Sequence, residues 1–320
     1  MLPKHLECLL KESLSKDMEV KRGKVACHLC GSEDIRILYK SNVGKKPFRK
    51  EDFFCTNPLG EHDTIFSCKS CGLVFSRPET GVNEREINKL YREAEDKTYL
   101  KELGQREGAF RKSLEWIEHY KRKGTLLEVG AGIGLFLKVA KEDGWEVEGI
   151  EPSRWAADYG RKNFGVEIQP KTLVEVRLSG PYDVVVMWDV LEHIVRPLDS
   201  LMRVNSLLRD DGLLFLSTVN IASFAGKVLG SRWPWLTRSH LFYFTPKTLT
   251  KMLEKAGFRV VEMKTRGRTF SIDYLLKERL RSYHPIFHGL ERVVRLLRLG
   301  GLRATMNFGD VLIAAATKEK

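Results

Sequence analysis

Leu126–Phe136 reads LLEVGAGIGLF. An apolar run from Thr125 to Val129 leads into three alternate glycines, Gly130, Gly132 and Gly134. Leu135, Phe136, Val139 and Ala140 then recur at helical spacing until Gly144 supplies a stop. The segment predicts a buried strand, a tight turn and a helix, and glycines at such a turn let the backbone approach a ligand. A dinucleotide fingerprint, G-x-G-x-x-G, would need its third glycine at position 135, where leucine stands. Here Glu128 ends the strand instead. It brings a carboxylate to a place where phosphates would be repelled, which favours a ligand carrying a cationic group. Twenty-one residues after Gly130, a second apolar strand, VEGI, ends in Glu151, placed like the acid that takes ribose hydroxyls in nucleotide-binding sheets.

A ribose together with a positive charge points to S-adenosylmethionine. Five motifs follow one another: LLEVGAGIG, VEGIEPS, YDVVVMWDVLEHI, DDGLLFLSTVN and HLFYFTPKTLTKMLEKAGF, covering roughly 120–264. In this order they resemble the seven-stranded, class I S-adenosylmethionine-dependent methyltransferases. The resemblance implies that Glu128 and the backbone of Gly130, Ala131, Gly132 and Gly134 line the methionine part of the cofactor. It also implies that Glu151, followed by Pro152, holds the ribose, and that the Asp189 region closes the pocket.

The 320 residues suffice for one large domain and a smaller one. No apolar run approaches the roughly 18 residues needed to span a bilayer, and MLPKHLECLLKES is too charged for a secretory signal, so the expected location is cytoplasmic. The net charge of +12 admits nucleic acid, anionic lipid or an acidic substrate as partner. Its distribution is uneven: between Lys264 and Met306 ten Lys or Arg stand against Asp273, Glu278 and Glu291, an excess of +7.

Strands are predicted over 125–129, 146–150, 166–169, 183–188, 213–218, 258–264 and 310–316, with helical patterns alternating between the first six. That alternation predicts an α/β fold, a doubly wound, mostly parallel seven-stranded sheet. The predicted organisation is an N-terminal helix over 1–24, a zinc-ribbon-like β domain over 25–80, connecting helices over 81–122, and a methyltransferase domain over 123–320. A basic helical insertion at 264–307 interrupts the last part.

Six cysteines in a chain read as having no export signal suggest metal ligands or free thiols. Cys27-x-x-Cys30 and Cys68-x-x-Cys71 can each present two thiolates, each pair is followed by a glycine, and four thiolates satisfy a tetrahedral zinc ion. Thirty-seven residues separate the pairs, more than the roughly 15–20 of compact ribbons. The insert contains Cys55 and His62, either of which could replace a ligand. The arrangement resembles the zinc-binding domain found ahead of some sugar and natural-product methyltransferases, which implies a structural zinc.

On the acceptor side the candidate catalytic residues are His193, Glu192 and His240. Trp233, Trp235, Phe242 and Tyr243 read either as an aromatic acceptor wall or as packing of the loop after the fifth strand. Asp189, Glu192 and His193 stand at i, i+3 and i+4, sharing one face if a helix begins at the end of the fourth strand. With His240 they make a candidate divalent-metal site. The set resembles the E-x-x-E-H plus distant histidine of small-RNA ribose methyltransferases and the LEH segment of ubiquinone-pathway O-methyltransferases. The expected function is O-methylation of a small-molecule or saccharide acceptor, a lipid-linked saccharide being one candidate; RNA methylation, a nucleic-acid-binding zinc protein and a non-catalytic cofactor binder are the alternatives. Ile286, Phe287, Leu290, Val293, Val294 and Leu297 share one helical face opposite Arg292, Arg295 and Arg298, which predicts an anionic membrane contact through 285–303, a lid over the sheet or a dimer contact.

Overall fold

The computed structural model describes residues 25–54, 60–77, 83–178, 180–271, 296 and 303–319. The predicted N-terminal helix, Cys55 and the amphipathic face at 286–298 lie outside the described residues.

In chain order, strands β1 (Ile35–Tyr39), β2 (Thr64–Cys68) and β3 (Val74–Arg77) precede helices α1 (Glu84–Glu93) and α2 (Leu103–Glu118). The alternating part then runs β4 (Thr125–Val129), α3 (Leu135–Glu142), β5 (Glu146–Ile150), α4 (Arg154–Phe164), β6 (Ile168–Gln169), β7 (Tyr182–Trp188), α5 (Pro197–Leu207) and β8 (Leu208–Val219). Helix α6 (Phe224–Leu229), β9 (Phe242–Tyr243), α7 (Pro246–Lys255), β10 (Phe258–Ser271) and β11 (Arg303–Lys318) complete the chain.

The large sheet has seven strands in the order β10-β11-β8-β7-β4-β5-β6. Pairs β4–β5, β4–β7, β5–β6 and β7–β8 are parallel, while β11 pairs antiparallel with β8 and β10. This is the methyltransferase fold. From β4 the chain winds outward through β5 and β6, then crosses back to place β7 on the other side of β4. Ligands of open α/β sheets bind at such a reversal, outside the carboxyl ends of the strands. The chain leaves those ends here through the glycine turn after β4 and through Asp189 after β7. Helix α7 starts where the sequence marks it, with the Thr245 hydroxyl accepting from the Thr248 N–H at 3.1 Å and Pro246 at its first position.

Two differences from the sequence reading concern boundaries. Strands β10 and β11 run well into the predicted insertion, paired from Lys264↔Ile313 out to Ser271↔Arg303. Charged residues interrupting the apolar pattern hid this extension, since an antiparallel hairpin tolerates polar side chains on its solvent face. The small sheet, ordered β1-β2-β3-β9, takes its fourth strand from Phe242–Tyr243, far outside residues 25–80. Cys27, Leu29, Leu73 and Phe75 share one buried apolar cluster with Leu249, Met252 and Leu253 of α7. The cysteine module is therefore fused to the large sheet through common core. Among the described residues, no helix is long and apolar enough to cross a membrane.

Candidate active site and cysteine centre

Gly130, Gly132 and Gly134 all take left-handed backbone, with φ of 73°, 52° and 77°. They differ in what a side chain would meet. A Cβ at Gly130 would strike Val190 Cγ2 at 2.5 Å and one at Gly134 would strike Ile168 Cδ1 at 2.7 Å, so these two are glycine for packing as well as conformation. At Gly132 nothing lies within 4 Å. The turn thus presents bare backbone to open space.

Two buried carboxylates flank it. Glu151 accepts from the Gly132 N–H through Oε2 and from the Ser153 N–H through Oε1, each at 2.8 Å. Burial raises its pKa, opposed by these same two N–H groups. Glu128 is 2% exposed and its Oε2 is buried without a hydrogen-bond partner. Burial first, and the nearby Glu151 charge second, push its carboxyl well above the ordinary range. An orphaned buried carboxylate oxygen beside an unfilled glycine turn fits a ligand that brings its own cation. The ammonium of S-adenosylmethionine suits Glu128, and its ribose hydroxyls suit Glu151.

After β7 the chain departs from the predicted helix. Leu191–His193 form a single 3-10 turn, and Asp189 takes a left-handed φ of 54°. The Asp189 carboxylate accepts from the Ser217 hydroxyl at 2.7 Å, and its N–H donates to that hydroxyl at 2.9 Å. Asp189 consequently falls outside the predicted four-residue metal set, because a residue off the helical path does not share the face of Glu192 and His193. The remaining three converge: ligand atoms of Glu192, His193 and His240 lie within 4.8 Å of one another. The two imidazole centroids are 4.8 Å apart, edge to face.

Each ring is aimed by a backbone carbonyl, Ser239 O at 2.9 Å from His193 Nδ1 and Trp235 O at 2.8 Å from His240 Nδ1. A carbonyl only accepts, so Nδ1 carries the proton and Nε2 is the basic nitrogen of a neutral ring. Burial, against the pull of Ser239 O and the Asp189 charge, takes His193 down to about 4. Glu192 accepts from Thr218 Oγ1 at 2.8 Å. Of the two readings of the aromatics, packing holds for Trp233, Phe242 and Tyr243, which are at most 2% exposed, the last two paired with β3.

The four cysteines converge as well, with all sulfurs within 4.8 Å. Cys27 and Cys71 are 3.4 Å apart and Cys30 and Cys68 3.6 Å, close to the edge of about 3.8 Å expected of a tetrahedron with Zn–S near 2.3 Å. Gly31 and Gly72 follow the pairs at φ of 74° and 84°, the left-handed step that closes each knuckle. Although burial opposes ionisation, the Cys71 N–H, the Cys30 thiol and the Ser70 N–H bring Cys68 down to about 7. Zinc fits this donor set, and four thiolates leave no coordination position for chemistry. His62 is not in the group; its Nδ1 faces the Asp63 carbonyl at 2.8 Å.

The glycine turn, the acid-tipped second strand and the sheet reversal are those of a class I methyltransferase that uses S-adenosylmethionine. A family model described as a methyltransferase domain matches residues 99–263, and the chain belongs to that family. The ubiquinone biosynthesis O-methyltransferase of Burkholderia pseudomallei (strain 1710b) is 27% identical over 167 residues, 47% of this chain and 72% of that protein. That of Aeromonas salmonicida (strain A449) is 30% identical over 152 residues, 43% of this chain and 64% of that protein. The crystal structure of a SAM dependent methyltransferase from Archaeoglobus fulgidus aligns with a TM-score of 0.49 and 20% identity, over 70% of this chain and all of that one.

Proposed function

We propose that the enzyme methylates an oxygen of a small-molecule or saccharide acceptor, with His193 as base. The observation that carries this reading is the His193 ring, held neutral by burial and oriented through Nδ1 so that Nε2 is the proton acceptor. When bound, S-adenosylmethionine would supply a sulfonium methyl: the acceptor oxygen would bond to its carbon in line as the carbon–sulfur bond breaks and S-adenosylhomocysteine leaves. Glu128 and Glu151 orient the cofactor at its two ends, the glycine turn gives it room, and Nε2 of His193 takes the hydroxyl proton. Oxygen as the methylated atom draws support from the names of the two curated relatives. The test is to incubate the enzyme and cell extract with S-adenosylmethionine labelled in the methyl group, then analyse the labelled product by mass. A methyl ether supports the proposal, and label on nitrogen or carbon overturns it.

A second reading is favoured by the convergence of Glu192, His193 and His240. A divalent cation on these three would lower the pKa of a bound hydroxyl and orient it. Calorimetric titration of Mn²⁺ into the native enzyme and His240→Ala tests it: binding lost in the variant is expected, and identical isotherms refute it.

A further inference from the structure

Among the described residues of the 37 between the cysteine pairs, none joins the sulfur cluster, yet they reach the acceptor side of the active site. The link is Arg238, whose side chain is 2% exposed. Its Nη1 donates to Asp52 Oδ2 and to Pro47 O, both at 2.9 Å. Nη2 donates to Lys46 O at 2.8 Å and Nε to Asp63 Oδ2 at 3.2 Å. The Phe48 ring lies 4.0 Å beneath the guanidinium. All five partners belong to the insert. A buried cation with two buried carboxylates and two carbonyls has one satisfactory geometry, so the contact fixes position and does more than glue surfaces.

What it fixes is the segment that aims the histidines. The next residue, Ser239, gives the carbonyl that holds His193, and His240 follows it. Leu241 N–H donates to Glu192 O at 2.7 Å, and Leu241 O accepts from the Ser76 N–H at 2.8 Å. The insert approaches the same place from the other side, with the Phe53 ring tilted against Tyr91 at 4.3 Å and Tyr91 edge-on to His193 at 6.1 Å.

We propose that Arg238 is a positioning residue: by clamping the insert between the cysteine pairs, it makes the cysteine module set the placement of His193 and His240. The inference rests on the acceptor-side role proposed for those histidines. The glycine turn, Glu128 and Glu151 stand on β4, β5 and their loops, which the clamp does not touch. Cofactor binding and methyl transfer should therefore separate.

The experiment compares native enzyme, Arg238→Lys and Asp52→Asn by the rate of labelled methyl transfer into cell extract at saturating S-adenosylmethionine, with calorimetric cofactor affinity and thermal midpoint alongside. Lysine keeps the charge and loses the fork. The expected result is a loss of about 10- to 100-fold in transfer rate, the scale of a displaced reacting group, with cofactor affinity unchanged. A lowered thermal midpoint with a native transfer rate would make Arg238 merely structural and overturn the proposal. Should Arg238→Lys fail to bind cofactor, Asp52→Asn decides: a reduced rate with native cofactor affinity supports the clamp, and a native rate overturns it. A native enzyme that labels nothing removes the proposal together with the reading beneath it.

Discussion

The two sides of the proposed active site are built in opposite ways. The cofactor side comes from one strand–turn–helix unit and the end of the next strand, Thr125 to Glu151, twenty-seven consecutive residues. The acceptor side is gathered from the module insert, α1, the turn after β7 and the loop before β9, with Arg238 bonding partners 175–192 residues away. A site made of neighbours in sequence tolerates change elsewhere. One assembled from distant pieces depends on the contacts that bring them together.

That contrast can be broken by substitutions on each side. The largest effect is expected from Gly132→Val, where a branched side chain would fill the one open position of the turn and also strain a φ of 52°. Calorimetry should find no measurable cofactor binding to a folded chain, and native affinity would remove the turn from the site. His193→Ala should do the reverse, lowering the rate of methyl transfer by about 10²- to 10⁴-fold while cofactor affinity stays native. A parallel loss of affinity would merge the two sides.

Glu151→Ala should weaken the cofactor by about 1–3 kcal/mol, the scale of hydrogen bonds to a charged group. Glu128→Gln is the smallest and has a sign that sharpens the comparison. The folded chain holds the Glu128 proton more tightly than the unfolded chain, so its contribution to stability is complete below the ordinary carboxylate pKa and is lost as pH rises through the elevated one. Glutamine should therefore raise the thermal midpoint near neutral pH, by about 1 kcal/mol of stability, flatten that pH dependence and weaken cofactor binding. A lower midpoint at neutral pH would contradict the buried carboxylate with its orphaned Oε2.

Legibility in the sequence follows the same division. The glycine turn, the acid-tipped strand and the alternating strands and helices are local patterns, and the seven-stranded sheet follows from them. Cys27, Cys30, Cys68 and Cys71 were readable because two short spacings carry the ligand geometry within themselves. Asp189 misled because i, i+3, i+4 spacing implies a shared face only on a helix, and the Ser217 hydroxyl, supplied by β8, pulls the chain off that path. For Trp233, Phe242 and Tyr243 the sequence left wall and packing open, because the strand from the module that pairs with Phe242 and Tyr243 lies far away in the chain. Arg238 carried no signal at all. One arginine among 54 Lys and Arg becomes distinctive only when Asp52, Asp63 and Phe48 surround it.

The central claim is that one molecule of S-adenosylmethionine lies across the β4–β7 reversal, between a local cofactor side and an assembled acceptor side. Its most direct test is a crystal structure with S-adenosylhomocysteine bound. The account predicts the amine at Glu128 Oε2, the ribose hydroxyls on Glu151 and the sulfur directed toward Leu191–His193. A ribose held away from Glu151, or a sulfur turned from His193, would contradict it.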